Sequence, residues 1–101
     1  MILEVNAEDI RDIAAAVHSA RKLEPGADVL AEVERKVMNA IQRREETLEL
    51  EDQQAQALRN ALLRRAYDQR NTTEALDYSD LAERIGQALD SVTPPLDAEG
   101  N

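Results

Sequence analysis

Residues 41–62, IQRREETLELEDQQAQALRNAL, decide how this chain folds. Two readings compete within it. Ile41, Leu48, Ala55 and Leu62 recur every seven residues, with no Gly or Pro from Ala27 to Ile85. That spacing allows one central helix of about forty residues, as in a coiled coil or long bundle. Against it, Thr47-Leu48-Glu49-Leu50-Glu51 alternates polar and apolar with period two, the pattern of a short extended segment. An acidic pair, Glu51-Asp52, followed by Gln53-Gln54 reads as a helix start. The break is the preferred reading, with Glu51 or Asp52 capping a new helix whose inner face is Ala55, Leu58, Leu62 and Ala66.

Upstream, Asn6 is a good N-cap, Glu8 and Asp9 suit the positive end of the helix dipole, and Val5 and Ile10 have the spacing of a hydrophobic staple. A first helix is expected with face Ile10, Ile13, Val17, Ala20 and a basic end at Arg21 and Lys22, turning at Pro25-Gly26. A second should open near Asp28, with inner stripe Leu30, Val33, Val37 and Ile41, flanked by Val29, Met38 and Ala40. An outer Glu32–Lys36 pair sits at i,i+4. Downstream, the last helix starts either in an Asn71…Glu74 capping box or at Ser79. Its inner face is Tyr78, Leu81, Ile85, Ala88 and Val92 with Leu89 beside it, and Pro94-Pro95 ends it. The expectation is an all-α bundle of about four helices in two hairpins. Residues 1–93 form the single domain and 94–101 a flexible acidic tail.

A faint repeat accompanies this plan. Leu3-Glu4-Val5 and Leu48-Glu49-Leu50 each precede a helix, forty-five positions apart, and Ile10, Ile13 and Val17 then fall on Ala55, Leu58 and Leu62. The preferred explanation is repeated use of one capping grammar, the alternative two hairpins related by pseudo-symmetry. Pairing of the two extended pieces would make a minimal β-ribbon.

Composition narrows the chemistry. Of 101 residues, 12 are basic and 21 acidic, for a net charge of −9; there is no Cys, Phe or Trp, and one His. Disulfides, thiolate metal sites and a multi-histidine zinc centre are excluded. No segment has the length and apolarity of a membrane span, and the first residues lack a signal-peptide pattern, so a cytoplasmic setting is the expectation. The negative field repels phosphate backbones and anionic membranes and favours basic partners. His18 has Arg21 and Lys22 at i+3 and i+4 and reads as a neutral surface or partly buried side chain. There is no Gly-x-Ser-x-Gly motif and too little glycine for a phosphate-cradling loop.

Two constellations carry possible chemistry. Glu45-Glu46-x-x-Glu49 precedes Glu74-x-x-Asp77, five carboxylates whose hard oxygen atoms suit magnesium. The arrangement resembles the magnesium-binding signature of the all-α nucleoside-triphosphate pyrophosphohydrolases. That resemblance implies Mg2+ on Glu45, Glu46, Glu49, Glu74 and Asp77 and hydrolysis of a triphosphate, and it needs Glu45 and Glu49 on one continuous helix. Arg43 and Arg44 depart from the family's usual apolar position. The second, Ser79-Asp80-Leu81-Ala82-Glu83-Arg84-Ile85-Gly86, resembles the first helix and turn of a helix-turn-helix and implies a DNA-associated regulator. Leu89, Asp90 and Pro94-Pro95 stand where polar contacts and a recognition helix belong, and the surrounding charge is negative.

The leading expectation is therefore a non-enzymatic protein–protein interaction protein, an inhibitor, adaptor or assembly subunit, that needs no cofactor and works through helical faces. Its contact residues would be Arg59, Leu63, Arg64 and Arg65, with Asp77, Asp80 and Glu83 as an acidic face for a basic partner. The arginines 59, 64, 65 and 70 are expected to pair with acids on neighbouring helices. Surplus apolar residues such as Val29, Met38 and Leu63 point to a homo-oligomer.

Overall fold

Asn6 and Glu51 open two helices of 17 residues each by related devices. At the first, the Asp9 N–H donates to Asn6 Oδ1 at 2.8 Å and the Asn6 N–H donates to Asp9 Oδ2 at 3.1 Å. At the second, the Glu51 N–H donates to Gln54 Oε1 at 3.0 Å. In each case a side chain three residues on satisfies a backbone donor that the helix leaves open.

The computed structural model describes the backbone of residues 1–92 and the side chains of residues 1–90. Its elements run β1 (Ile2–Glu4), α1 (Ala7–Leu23), α2 (Asp28–Arg43), β2 (Thr47–Glu49), α3 (Asp52–Asp68) and α4 (Glu74–Val92). The fold is the expected all-α bundle of four helices, tied by one two-stranded ribbon. There is no long central helix: α2 stops at Arg43, and Arg44 adopts the left-handed conformation at φ 55° and ψ 40°. A residue with a Cβ is strained there, whereas glycine is not. Arg44→Gly is accordingly expected to raise stability by about 0.5–1 kcal/mol, read as a higher midpoint in urea. The expected tail 94–101, the Pro94-Pro95 stop and the Val92 side chain lie outside the described residues.

The repeat is real and symmetric, which corrects the preference for independent capping. β1 and β2 pair antiparallel with Ile2 opposite Glu49, Leu3 opposite Leu48 and Glu4 opposite Thr47. The Val5 N–H donates to the Glu46 carbonyl and the Leu50 N–H to the Met1 carbonyl, both at 2.9 Å. A shift of forty-five residues turns the first of these bonds into the second, so a pseudo-two-fold axis passes through the Leu3–Leu48 pair. Ile10, Ile13, Ala16 and Val17 of α1 map onto Ala55, Leu58, Ala61 and Leu62 of α3, all buried. The stripe Leu30, Val33 and Val37 of α2 maps onto Tyr78, Leu81 and Ile85 of α4 at a shift of forty-eight, after a longer turn. α1 and α3 meet at the centre, while α2 and α4 lie outside and do not touch each other among the described residues. Alternation puts Leu3, Val5, Leu48 and Leu50 into the core and Ile2, Glu4, Thr47 and Glu49 outward.

Several local expectations shift. Ala40, not Ile41, completes the α2 stripe: Ile41 is 43% exposed, because a helical turn of 3.6 residues carries the seam from Val37 to Ala40. Glu32 pairs with Arg35, and Lys36 instead donates to Gln54 Oε1 at 2.7 Å. That bond and the one from Glu51 give the buried Gln54 carbonyl two donors, which makes its burial tolerable. Glu74 is the first residue of α4, so Asn71 is not its N-cap, and Ser79 lies well inside the helix.

Candidate interaction surfaces on the two sides of the bundle

The first two turns of α1 carry Glu8, Asp9, Arg11 and Asp12, which face α4 across a shallow cleft of about 600 Å³. α4 supplies Glu74, Asp77, Asp80, Glu83, Arg84 and Gln87, with Leu81 in the lining. Residues three and four apart share a helical face, so the spacing 74, 77, 80, 84, 87 makes a row. Leu81 and Ile85, buried beside that row, anchor α4 and set its rotation.

Seven carboxylates and two guanidinium groups line this cleft. One edge is neutralised. Arg84 Nη1 lies 3.1 Å from Asp9 Oδ2, and Arg84 Nη2 donates to the Glu4 carbonyl, tying α4 to the α1 cap and to β1. Away from that edge, like charge surrounds Asp12. Asp12 has its pKa raised above the ordinary 3.8, first by burial and then by the negative charges of Asp77, Asp9, Glu74 and Glu8. The cleft thus concentrates negative potential and hydrogen-bond acceptors. Chemically it offers a seat for ammonium and guanidinium groups.

Asp77, Asp80 and Glu83, expected to share an acidic face, do line this cleft. The sequence gives Glu8 and Asp9 a role only at the helix dipole and does not single out Asp12. The signal for more was present, because Glu8 and Asp12 stand four apart with like charge, a pairing that costs helix stability. Glu74 and Asp77 sit in the cleft, whereas Glu45 and Glu46 border a groove beside Ile10 and Ile41 and Glu49 faces outward from β2. The shared helical face that the magnesium signature needs is absent, because β2 occupies residues 47–49. Among the described residues, no three Asp, Glu or His side chains are grouped to hold a metal ion.

Gly86 is not a turn but lies inside α4, which removes the helix-turn-helix geometry. A Cβ at Gly86 would stand 3.2 Å from Arg59 Nε, so the glycine leaves room for that side chain against α4. The other arginines also differ from the expected acid pairs. Arg65 donates to Ser19 Oγ at 3.1 Å and lies over the Tyr78 ring at 5.6 Å, fastening α3 to α1 and α4. Arg70 stacks on Tyr67 at 4.4 Å, and Arg64 is exposed. Ion pairs among the described residues join Arg21 to Glu34, Arg35 to Glu32 and Arg84 to Asp9. His18 is exposed.

A second groove, of about 740 Å³, lies between α3 and α2 and is closed by the end of α1. Of the acidic cleft's lining, the pseudo-two-fold axis brings only two counterparts to this groove. Asp12 and Asp77 on one side correspond to Ala57 and Val29 on the other. The second groove is lined by Leu23, Val29, Leu30, Ala61 and Tyr67, with Glu24, Arg64 and Asp68 also in its lining. No helix among the described residues is long and apolar enough to cross a membrane. No protein-family model, curated protein or solved structure matches this chain.

Proposed function

We propose that the protein is a non-enzymatic interaction module, an inhibitor, adaptor or assembly subunit, that receives a basic segment of a partner protein in the α1/α4 cleft. The observation that carries this reading is the excess of carboxylates in the lining, seven against two guanidinium groups, in which Asp12 is disfavoured as an anion by burial and by four neighbouring acids. Folding against such repulsion is costly, and a cationic partner would relieve it on binding. The exposed carboxylates of α4, Asp77, Asp80 and Glu83, are the proposed points of contact. The proposed setting is the cytoplasm, and the proposed mode needs neither cofactor nor metal.

The test is calorimetric titration with a short arginine- and lysine-rich helical peptide at low ionic strength. The expected result is saturable binding that weakens by about tenfold or more as salt rises towards 0.5 M. A peptide of the same length with glutamate replacing the basic residues should give no heat. Absence of binding by the basic peptide at low salt, or binding indifferent to salt, would overturn the reading.

A further inference from the structure

A chain of net charge −9 repels its own copies over most of its surface. One face escapes. From Gln53 to Tyr67 there is no Asp or Glu, the longest such run in the sequence. It forms nearly all of α3, whose outward side exposes Gln56, Asn60, Leu63, Arg64 and Tyr67. Leu63 is 41% and Tyr67 65% exposed, and Leu23, across the adjoining α2/α3 groove, is 55% exposed.

The charges bordering this face complement themselves. Arg64 and Asp68 stand one turn apart on α3 at the groove, with Glu24 also in its lining. Such a pattern of both signs suits a two-fold contact, in which residue i meets j and j meets i. The acidic cleft serves less well, because its seven carboxylates outnumber its two guanidinium groups and two copies would present mostly like charge to each other. Arg70, stacked 4.4 Å from the Tyr67 ring, holds that ring in place at the edge of the groove.

We propose that the protein pairs with a second copy of itself through the α2/α3 groove. The two α3 helices cross antiparallel about a two-fold axis. Tyr67 of each copy enters the groove of the other beside Leu23 and Val29, and Arg64 of each meets Asp68 and Glu24 of the other. The acidic clefts stay open in the dimer, so this pairing is independent of the basic-partner reading.

Sedimentation velocity on the full chain, from micromolar to near-millimolar concentration, tests the proposal. A reversible monomer–dimer equilibrium is expected, and added salt should strengthen it by screening the net charge, opposite to its effect on a basic peptide. Tyr67→Glu should weaken association at least about thirtyfold, since an aromatic anchor becomes a buried charge. Arg64→Asp should weaken it as well, and adding Asp68→Arg to that variant should restore it. All three side chains are exposed, so circular dichroism should show unchanged helix content. Neutralising the cleft with Asp12→Asn should leave the dimer intact. A monomer at near-millimolar concentration in high salt would overturn the proposal. So would a dimer that survives Tyr67→Glu, or a charge swap that fails to rescue.

Discussion

Leu58→Ala is expected to lower the free energy of unfolding by about 3–5 kcal/mol, the upper part of the range for such truncations. Leu58 is fully buried on α3, and the pseudo-two-fold axis relates it to the equally buried Ile13 on α1. The cost depends on how far the surroundings collapse into the cavity. Here they have little reach. The chain has no Phe or Trp, and the neighbouring turns on the same helices carry Ala55, Ala61 and Ala16. Ile13→Ala should cost a comparable amount, because it removes a similar side chain at the equivalent place. Against a total stability of about 5–15 kcal/mol for a domain of this size, either change brings the protein close to unfolding. Urea denaturation followed by circular dichroism checks this. Leu63→Ala, on the exposed side of the same helix, should shift stability by less than about 0.5 kcal/mol. A loss under about 1 kcal/mol for Leu58→Ala would show that the core closes around the missing atoms.

Neutralising the acidic cleft should move binding and stability in opposite directions. Asp12→Asn with Asp77→Asn is expected to weaken the basic peptide at least about tenfold, through loss of two charge-assisted contacts and of the surrounding potential. The same pair of changes should stabilise the free protein by about 0.5–1 kcal/mol, since each removes like-charge repulsion between α1 and α4. The pH dependence gives an independent reading. Asp12 binds its proton more readily in the folded state than at the ordinary 3.8 of the unfolded chain. Between 3.8 and the raised value the folded state therefore holds more protons, and stability increases as pH falls through that window. Above the window the burden of the Asp12 anion is constant, and below 3.8 there is no further gain from this group. Melting curves of Asp12→Asn and of the native protein should therefore draw together as the pH is lowered from neutrality. A variant less stable than the native protein at pH 7 would show that Asp12 is held by favourable contacts, and the cleft would lose its claim to be a site under repulsion.

The acidic residues of α1 are harder to read from sequence than those of α4 for a local reason. Glu8 and Asp9 have a sufficient local reason to be where they are, because acids stabilise the start of a helix and Asp9 completes the cap. Asp80 and Glu83, farther along α4, have no such local duty, whereas Asp77 shares it in the first turn of that helix. Arg84 was legible only as part of a motif, since its partners Asp9 and Glu4 lie seventy-five and eighty residues away. The arginines of α3 were assigned acid partners on charge alone. The packing instead gave Arg59 the space over Gly86 and gave Arg65 a tyrosine ring and a serine hydroxyl.

Sequence alone determined the helix content, the start of α1 at Asn6, the break before α3 and the inner stripes Leu30–Val33–Val37 and Leu58–Leu62–Ala66. Those features depend on interactions within a few residues: capping, period and the scarcity of glycine and proline. Tertiary structure alone decided that the two halves pair as pseudo-symmetric equivalents through Leu3 and Leu48. It also decided that the magnesium-like carboxylates part company, and that α1 and α4 bring their acids into one cleft while α2, α3 and the end of α1 frame a groove of mixed lining. These outcomes rest on which helix faces meet across the bundle, a matter of packing between residues far apart in the chain, to which local propensity is blind.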